Sequence, residues 1–358
     1  MNCMRIGIFD PYLDDLGGGE KYMMTIAEIL SEKHEVDVLW DNKSDLDGLL
    51  KRFSLDLSKV KITPNVFSPK YSTLQRFIAT KKYDRIIFLS DGSLPLVYPK
   101  LLVHIQQPLD NMETKSALGK LKIKRVNVFF CNSNYTKSFI DDKFHLKTKI
   151  LFPPVNIQKI NVRKENIILH VGRFRIKNVK NDDYKKQHVM VSQFKKMVDN
   201  GFKNWKFVLA VSVNEKDNRE FEKMRDFVKN YPVEFLVNKS NDDLWQIYGK
   251  AKIYWHASGY GEDLEKNPEF AEHFGISTVE AMGAGVVPVV INAGGQREIV
   301  TDGADGLLWD SLEELEGKTL KLANDEKLMN SLSEKAKLTA RKFSKEKFSE
   351  TLNEFINV

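Results

Sequence analysis

Short apolar runs alternate along the chain with longer stretches whose apolar residues recur every three to four positions. The first pattern predicts buried β-strands and the second predicts amphipathic helices. This alternation is typical of parallel sheets covered by helices, so we expect an α/β protein. Strands are predicted in the first half at 5–9, 35–39, 85–89, 101–105 and 126–131. In the second half they are predicted at 166–170, 206–211, 233–236, 253–255 and 286–290.

The alternation is interrupted at 151–155, where Pro153 and Pro154 restrict the backbone. A chain of 358 residues suits two domains, so we place the linker there. The predicted domains are 1–155 and 156–340, each Rossmann-like. The tail has apolar residues at helical spacing and predicts closing helices. The last of these, 341–358, is expected to pack back toward the N-terminal domain.

The composition, 42% hydrophobic and 29% charged, is typical of an ordered globular protein. No run approaches the roughly 20 apolar residues of a membrane span, and the first residues predict a buried strand rather than a secretion signal. Cys3 and Cys131 lie in apolar contexts, which predicts two core thiols and a cytoplasmic setting. The net charge of +6 does not indicate a nucleic-acid partner.

One segment, 115–125, is basic and contains no acidic residue. Leucine and isoleucine side chains are interleaved with its cations, which are Lys115, Lys120, Lys122, Lys124 and Arg125. Two interpretations stay open: a solvated face, or contact with anionic lipid or with a diphosphate-bearing acceptor. The second predicts peripheral binding at the inner face of the cytoplasmic membrane.

A glycine run, Gly17 to Gly19, follows the first predicted strand and precedes a helix predicted at 21–30. Glycines let a backbone approach a ligand closely, and a helix start offers N–H groups to an anion. The run is therefore either a phosphate site or a tight turn. Its spacing differs from the G-x-G-x-x-G of dinucleotide-binding proteins.

A second candidate site begins where a predicted strand ends in Gly172 and Arg173. Arg173 offers a planar fork for phosphate oxygens, and Lys185 offers a point charge at the start of a predicted helix. Such a pair suits a diphosphate. The alternative is an exposed strand-end arginine and a solvated lysine.

The segment 272–285 carries two glutamates, Glu272 and Glu280, on either side of Gly275. Glu272 precedes a predicted helix and Glu280 lies within it, so both can face one site. Carboxylates suit the hydroxyls of a ribose or a sugar, and the amides from Gly275 to Ser277 form a further helix-terminus anion site. A further glycine turn follows at 292–298.

Together these residues resemble glycosyltransferase family 4, which has the GT-B fold. The resemblance rests on the E-x7-E segment from Glu272 to Glu280, on AMGAGVVPVV and GGQREIV after it, and on Gly172-Arg173. The phrases at 255–259 and 268–276 resemble the lipid-linked oligosaccharide α-1,2-mannosyltransferases that use GDP-mannose. The likeness is strong over about 166–310.

The resemblance implies roles for individual residues. Glu280 would bind the donor ribose and Glu272 the hydroxyls of the transferred sugar, while Arg173 and Lys185 would bind the diphosphate. Further donor contacts would come from Gly18, Gly19, Gly172, Phe274, Gly275 and Ile276. Lys186 is an alternative to Lys185.

The family often carries a histidine two residues before a proline, near the reacting sugar. Gln106 occupies that place here, before Pro108, and His104 lies two residues earlier. Both stay candidates for the catalytic position.

The implied activity is retaining transfer of a hexose, mannose from GDP-mannose, to a hydroxyl of a glycan or lipid-linked glycan. A UDP-sugar is the alternative donor. The resemblance implies two Rossmann-like domains facing a central cleft, the N-terminal one binding acceptor and the C-terminal one nucleotide-sugar, with no cofactor and no metal. A nucleotide-dependent oxidoreductase would need a G-x-G-x-x-G run, and a basic-surface binding protein would leave the glutamate pair unexplained.

Overall fold

The computed structural model describes residues 3–14, 17–53, 55–112, 116–158, 160–176 and 183–358. The chain divides into two compact units. Unit 1 comprises Met1–Pro154 and Lys345–Val358, and unit 2 comprises Val155–Ser344. The division thus falls one residue before the first predicted boundary and four residues after the second.

The described elements alternate between strands and helices. The strands are β1 (Arg5–Phe9), β2 (Glu35–Leu39), β3 (Val60–Thr63), β4 (Arg85–Leu89), β5 (Lys100–Ile105), β6 (Val126–Cys131), β7 (Lys149–Ile150), β8 (Ile167–Phe174), β9 (Lys206–Val213), β10 (Val233–Val237), β11 (Ile253–His256), β12 (Val287–Ile291) and β13 (Leu307–Trp309). The helices are α1 (Gly18–Leu30), α2 (Lys43–Phe53), α3 (Thr73–Ala79), α4 (Ala117–Lys124), α5 (Asn134–Phe144), α6 (Gln187–Asp199), α7 (Asn218–Phe227), α8 (Asn241–Lys250), α9 (Ile276–Gly283), α10 (Gln296–Ile299), α11 (Leu312–Asn324), α12 (Glu326–Ala340) and α13 (Lys345–Ile356). Short 3₁₀ turns lie at Thr80–Lys82, Glu215–Asp217, Pro268–Phe270 and Arg341–Phe343.

Unit 1 is built on a seven-stranded parallel sheet in the order β3-β2-β1-β4-β5-β6-β7. Side chains alternate between its two faces: Ile87 and Leu89 belong to one buried cluster, while Ile86 and Phe88 belong to the other. The first cluster also contains Phe348 and other side chains of α13. The last helix of the chain therefore completes the core of the first unit.

Unit 2 repeats the plan with a six-stranded parallel sheet in the order β10-β9-β8-β11-β12-β13. Trp255, Trp309 and Phe207 are fully buried in its core. Relative to the first strand of each unit, both sheets follow the 3-2-1-4-5-6 order of doubly wound folds.

All ten predicted strands are confirmed, with small differences at their ends. The sequence analysis missed β3, β7 and β13, which have two to four residues each. The predicted start of the first helix was wrong: α1 begins at Gly18, so Gly18 and Gly19 lie in its first turn. A helix start is stabilised here because the Glu20 carboxylate accepts a 2.7 Å hydrogen bond from the Gly17 N–H.

The predicted burial of the cysteines is confirmed for Cys131 and wrong for Cys3, which is exposed because it precedes β1. Among the described helices, none is both long and apolar enough to cross a bilayer.

Candidate functional site

The site of unit 2 lies where its strand order reverses, between β8 and β11. In open parallel sheets, ligands bind outside the carboxyl ends of strands at such a reversal. Gly172 and Arg173 lie near the carboxyl end of β8, and His256 ends β11. The strand order thus brings residues 83 positions apart in the sequence to one edge of the sheet.

Glu272 is the centre of a charged network at this edge. Its Oε2 atom accepts from Lys185 Nζ at 2.5 Å and from His256 Nε2 at 2.8 Å. The Glu272 side chain is 17% exposed. Burial favours its neutral form, but the Lys185 ammonium and the His256 ring hold the pKa of Glu272 well below its usual range. The pair therefore presents a carboxylate and an ammonium side by side.

Of two buried histidines at this edge, His256 contacts Glu272, and the His170 ring lies 6.0 Å from the His256 ring between centroids. Burial lowers the pKa of His256, although Glu272 opposes this, and burial lowers the pKa of His170 to about 3. His170 Nδ1 lies 2.9 Å from the Trp255 carbonyl, which fixes that nitrogen as a donor. Neutral His170 therefore acts in packing and orientation rather than as a charge.

The backbone of Glu272 is held by the glycine turn that follows β12. The Gly295 N–H donates to the Glu272 carbonyl at 2.7 Å. A Cβ atom at Gly294 would collide with that same carbonyl, and Gly294 has a φ of +58°. A Cβ atom at Gly295 would lie 2.5 Å from Phe274 Cα. Glycines are therefore required at both positions, because two backbone segments touch there.

The N-terminus of α9 follows directly after Glu272 in the chain. Gly275 precedes the helix with a φ of +120°, and its Cα faces the Gln296 side chain, 2.7 Å from where a Cβ atom would lie. Gln296 is fully buried, and neither of its side-chain polar atoms has a hydrogen-bond partner among the described residues. Phe274 is buried against Phe343, with 5.3 Å between ring centroids. Phe274 therefore offers its backbone rather than its ring to a ligand.

Glu280 lies on α9 as predicted, one turn after the helix start. Its Oε2 atom accepts a 3.0 Å hydrogen bond from the Tyr248 hydroxyl of α8. The neighbouring Ser277 and Tyr254 hydroxyls lie 2.8 Å apart. Glu272 and Glu280 are thus on either side of Gly275, as the sequence predicts, but each has a separate set of partners.

The two candidate lysines are held apart by the start of α6. Asp183 Oδ1 accepts from the Gln187 N–H at 2.8 Å and fixes that start. Lys185 contacts Glu272, whereas Lys186 Nζ lies 2.6 Å from Glu262 Oε1 and is 6% exposed. Lys186 has a left-handed backbone, with φ of +54°. The structure therefore brings Lys185, and not Lys186, to the glutamate of the predicted site.

Gly172 lies beside Lys185. A Cβ atom there would lie 3.0 Å from His170 Nε2 and 3.5 Å from Lys185 Cγ, so the lysine stem passes over this glycine. Arg173 is half-buried in the strand register opposite Ser212 of β9.

In unit 1, the structure brings Gly19 and Gln106 together. A Cβ atom at Gly19 would collide with the Gln106 side-chain amide. The Gln106 carbonyl accepts from Asn132 Nδ2 at 2.9 Å, which fixes the loop after β5. Gly18 is exposed, and Ile276 of unit 2 is half-buried at the start of α9.

His104 is enclosed instead. Its ring stacks between Tyr22 at 4.5 Å and Phe130 at 4.8 Å, and it is 1% exposed. Burial lowers the pKa of His104 to about 3. Of the two candidates for the catalytic position, Gln106 is therefore the one that is accessible.

The sequence analysis missed several residues at these edges. His256 and Tyr248 reach their glutamates only through tertiary contacts, whereas Asp183 accepts from the nearby N–H groups of Gln187 and His188. Asp10, directly after β1, is fully buried, and its Oδ2 atom has no hydrogen-bond partner among the described residues. Burial raises the pKa of Asp10 to about 8. A charged residue at the carboxyl end of a central strand was the signal that could have marked Asp10 and His256.

No group of three histidine, cysteine or acidic side chains arranged to hold a metal occurs in the part of the chain that is described. Lys115 lies outside the described residues, whereas Lys120, Lys124 and Arg125 are exposed on or next to α4. The unit 2 arrangement can neutralise anionic charge, through Lys185 and α9, and can bind hydroxyls, through Glu272 and Glu280.

Comparison with known proteins identifies relatives. A family model described as glycosyl transferases group 1 matches residues 154–339. The GDP-Man:Man(3)GlcNAc(2)-PP-Dol alpha-1,2-mannosyltransferase of Dictyostelium discoideum is 26% identical over 244 residues, which are 63% of this chain and 46% of the relative. The chain thus spans less than half the length of that relative. The GalNAc-alpha-(1->4)-GalNAc-alpha-(1->3)-diNAcBac-PP-undecaprenol alpha-1,4-N-acetyl-D-galactosaminyltransferase of Campylobacter jejuni is 24% identical over 356 residues, 91% of each chain.

Solved structures share the architecture. A glycosyltransferase from Rickettsia africae superposes with a TM-score of 0.76 at 16% identity, over 100% of this chain and 98% of its own. The Anabaena protein HepE, in complex with UDP and glucose, has a TM-score of 0.69 at 17% identity over 99% of each chain. At these identities the likeness establishes the fold, two Rossmann-like domains with parallel sheets.

Proposed function

Because this chain belongs to the glycosyl transferases group 1 and has the GT-B fold, we propose that it transfers mannose from GDP-mannose to a hydroxyl of a glycan or lipid-linked glycan. The contact that carries the proposal is Lys185 on Glu272 beside the N-terminus of α9. Unit 2 binds the donor and unit 1 the acceptor. The transfer retains the anomeric configuration and needs no metal or cofactor.

The chemistry follows from the charges at the unit 2 edge. Glycosyl transfer releases a nucleoside diphosphate, on which negative charge develops as the bond to the sugar breaks. Lys185, Arg173 and the N–H groups at the start of α9 are fixed donors that stabilise such charge. Glu272 accepts hydrogen bonds from the hydroxyls of the hexose, and Glu280 accepts them from the ribose. In unit 1, Gln106 next to Gly19 is the candidate catalytic residue.

The choice of mannose rests on relatives. The Dictyostelium relative carries GDP-Man in its name, and the alpha-1,3/1,6-mannosyltransferase of Rhizomucor pusillus is 24% identical over 320 residues, 81% of this chain. A UDP-sugar is the second candidate donor, since the Anabaena structure contains UDP and glucose. A transfer assay distinguishes these two candidate donors.

Purified protein is incubated with GDP-mannose or with UDP-glucose and a prenyl-diphosphate-linked oligosaccharide, with and without EDTA. We expect transfer from GDP-mannose that EDTA does not reduce, and a product with an α-anomeric proton by NMR. Glu272→Gln is expected to lower turnover about 100-fold or more. Transfer only from UDP-glucose would replace the donor, a β-linked product would exclude retention, and loss of activity in EDTA would exclude metal independence.

We also propose that the acceptor is reached at an anionic membrane surface. Two leucines of α4, Leu118 and Leu121, are about half exposed, and the same helix carries Lys120, Lys122 and Lys124. Arg125 connects α4 to α3, because its guanidinium lies 5.8 Å from the Phe77 ring and donates to the Tyr98 carbonyl at 3.2 Å.

Along α3, Leu74 and Ile78 are 69% and 55% exposed, one helical turn apart. No acidic residue occurs from position 64 to 83 or from 116 to 140. Apolar side chains surrounded by cations, without acids, suit an anionic bilayer, so this face would bind at the inner side of the cytoplasmic membrane.

Flotation with vesicles tests the membrane contact. We expect binding to vesicles with 30% phosphatidylglycerol and none to pure phosphatidylcholine, and about tenfold weaker binding for Leu74→Ser with Ile78→Ser. Leu338→Ser is the matched control, because Leu338 is 59% exposed on unit 2. Equal binding of all variants, or of both vesicle types, would contradict the contact.

A further inference from the structure

Tyr248 contacts one of the two glutamates of the donor site and belongs to none of the motifs that identify it. Its side chain is 1% exposed, and its ring packs on Trp245 of the same helix at 5.5 Å between centroids. The Tyr248 hydroxyl donates to Glu280 Oε2 at 3.0 Å. Packing on all sides leaves this hydroxyl at a fixed position against the carboxylate.

The backbone around this contact is also fixed. Lys164 Nζ donates to the Ala251 carbonyl at 2.8 Å and to the Ala284 carbonyl at 2.9 Å, and these two residues directly follow α8 and α9. Burial lowers the pKa of Lys164 to about 7, and in either protonation state its nitrogen carries the two N–H groups that these carbonyls accept from. Lys164 therefore ties together the helix that carries Tyr248 and the helix that carries Glu280.

We infer that Tyr248 is a positioning residue that orients the Glu280 carboxylate toward the ribose hydroxyls of the donor and so sets the preference for ribonucleotides over deoxyribonucleotides. This inference rests on the ribose role of Glu280 in the proposed function. A glutamate side chain has three rotatable bonds, and a hydrogen bond from a fixed donor removes most of that freedom. A carboxylate already oriented binds a hydroxyl without a further loss of entropy.

The protonation state of the phenol supports the assignment. Burial, reinforced by the Glu280 charge, raises the pKa of Tyr248 well above its usual range. Tyr248 is consequently protonated, and therefore a hydrogen-bond donor, at neutral pH.

The test is the ribose selectivity of nucleoside diphosphate binding, measured by calorimetry on the full chain. The probes are GDP, UDP, 2′-deoxy-GDP and 2′-deoxy-UDP. We expect the wild type to prefer the ribonucleotide of the better-bound base by about tenfold or more, because a hydrogen bond to a charged group is lost with the 2′-hydroxyl. Tyr248→Phe is expected to reduce this ratio to about threefold or less, by weakening the ribonucleotide and leaving the deoxyribonucleotide unchanged.

Two variants separate positioning from a loss of structure. Tyr231→Phe is the matched control, since the Tyr231 hydroxyl donates to Asp199 Oδ1 at 2.8 Å on the exposed surface of unit 2, and it should keep the wild-type ratio. Lys164→Gln keeps the phenol and loosens the helix ends, and it should also lower the ratio. This second variant tests the inference if Tyr248→Phe does not fold.

The outcomes are distinct. If Glu280→Gln keeps the wild-type ratio, the ribose role in the proposed function is wrong, and the inference is wrong with it. If Glu280→Gln loses the ratio while Tyr248→Phe and Lys164→Gln keep it, only the inference is wrong. An equal weakening of ribonucleotide and deoxyribonucleotide by Tyr248→Phe would assign Tyr248 to packing and would also overturn the inference.

Discussion

Units 1 and 2 share a strand order but differ in the charge of the side chains at the carboxyl ends of their strands. In unit 2, Glu272 is ionised and paired with Lys185 at 2.5 Å. In unit 1 the corresponding edge holds the Gln106 amide against Gly19, and Asp10, whose pKa burial raises to about 8. The unit 2 edge holds an ion pair, whereas the unit 1 edge holds an uncharged amide and a carboxyl group whose burial favours the protonated form.

The difference shows what a doubly wound sheet does and does not determine. The sheet brings loops to one edge at the point where the strand order reverses, in both units alike. The residues on those loops decide whether the edge suits a charged diphosphate or an uncharged sugar hydroxyl. Three predictions test this contrast.

The largest effect is expected in unit 2, when its two neighbouring lysines, Lys185 and Lys186, are replaced one at a time. Lys185→Ala should lower turnover with GDP-mannose about 100- to 1,000-fold, because a fixed cation beside the departing diphosphate is lost. Lys186→Ala should change turnover less than tenfold and instead lower the free energy of unfolding by about 2 kcal/mol, because Glu262 loses its ammonium partner. Steady-state kinetics and urea unfolding measure both. Equal losses of turnover would show that the two lysines are not distinct in function.

The next effect concerns the neutral edge of unit 1. Burial raises the pKa of Asp10 in the folded protein to about 8, from the 3.8 of an exposed aspartate, so its contribution to stability is complete below about pH 4 and is lost as pH rises through 8. Asp10→Asn cannot ionise. It should match the wild type in unfolding free energy at pH 4 and exceed it by several kcal/mol at pH 8.

Urea unfolding from pH 4 to 8.5 measures that difference. Asp56→Asn is the control, because Asp56 is exposed and should show no gain at alkaline pH. Parallel pH profiles for Asp10→Asn and the wild type would show that Asp10 is already ionised in the folded protein.

The smallest effect concerns Gly19, which lies at the same edge of unit 1 as Asp10. Ala is favoured over Gly inside helices by about 1 kcal/mol. Gly317 of α11 has open space around it, so Gly317→Ala should raise stability by about that amount. Gly19→Ala should not, because the new methyl group must displace the Gln106 amide. Thermal unfolding of the two variants measures the contrast, and an equal gain in both would mean that Gln106 does not depend on Gly19.

Most of the sheet could be predicted from the sequence, because its central strands are buried on both faces and read as continuous apolar runs. The three missed strands are short and lie at the edges or near the ends of the sheets, as Val60–Thr63 does. β3 and β7 are at most half-buried, and β13 is buried but only three residues long, so none of them carries a clear pattern. The start of α1 was misplaced because glycines are poor helix formers, and the Gly17–Glu20 hydrogen bond that stabilises it is a contact between two residues rather than a propensity.

The candidate site was predictable at those residues whose type alone limits what they can bind or how their backbone can fold. Glu272, Glu280 and the glycines around them are in this class, and the structure places the two glutamates at one edge of unit 2. The partners of these glutamates were not predictable, because His256 and Tyr248 reach them across 16 and 32 positions of sequence through the packing of the sheet and of α8. The roles of Arg173, Gly18 and Gln106 in catalysis or binding stay predictions.

The packing of α13 into unit 1 affects the order in which the two units can fold during synthesis. Phe348, Leu352 and Phe355 are buried in the same cluster as Ile6 and Tyr22, which leave the ribosome more than 300 residues earlier. Unit 2 is contiguous and has all its strands before that helix is translated. A nascent chain therefore has every strand of the first sheet but an uncovered apolar face, open to chaperones, until α13 is translated, and the second unit can finish folding first.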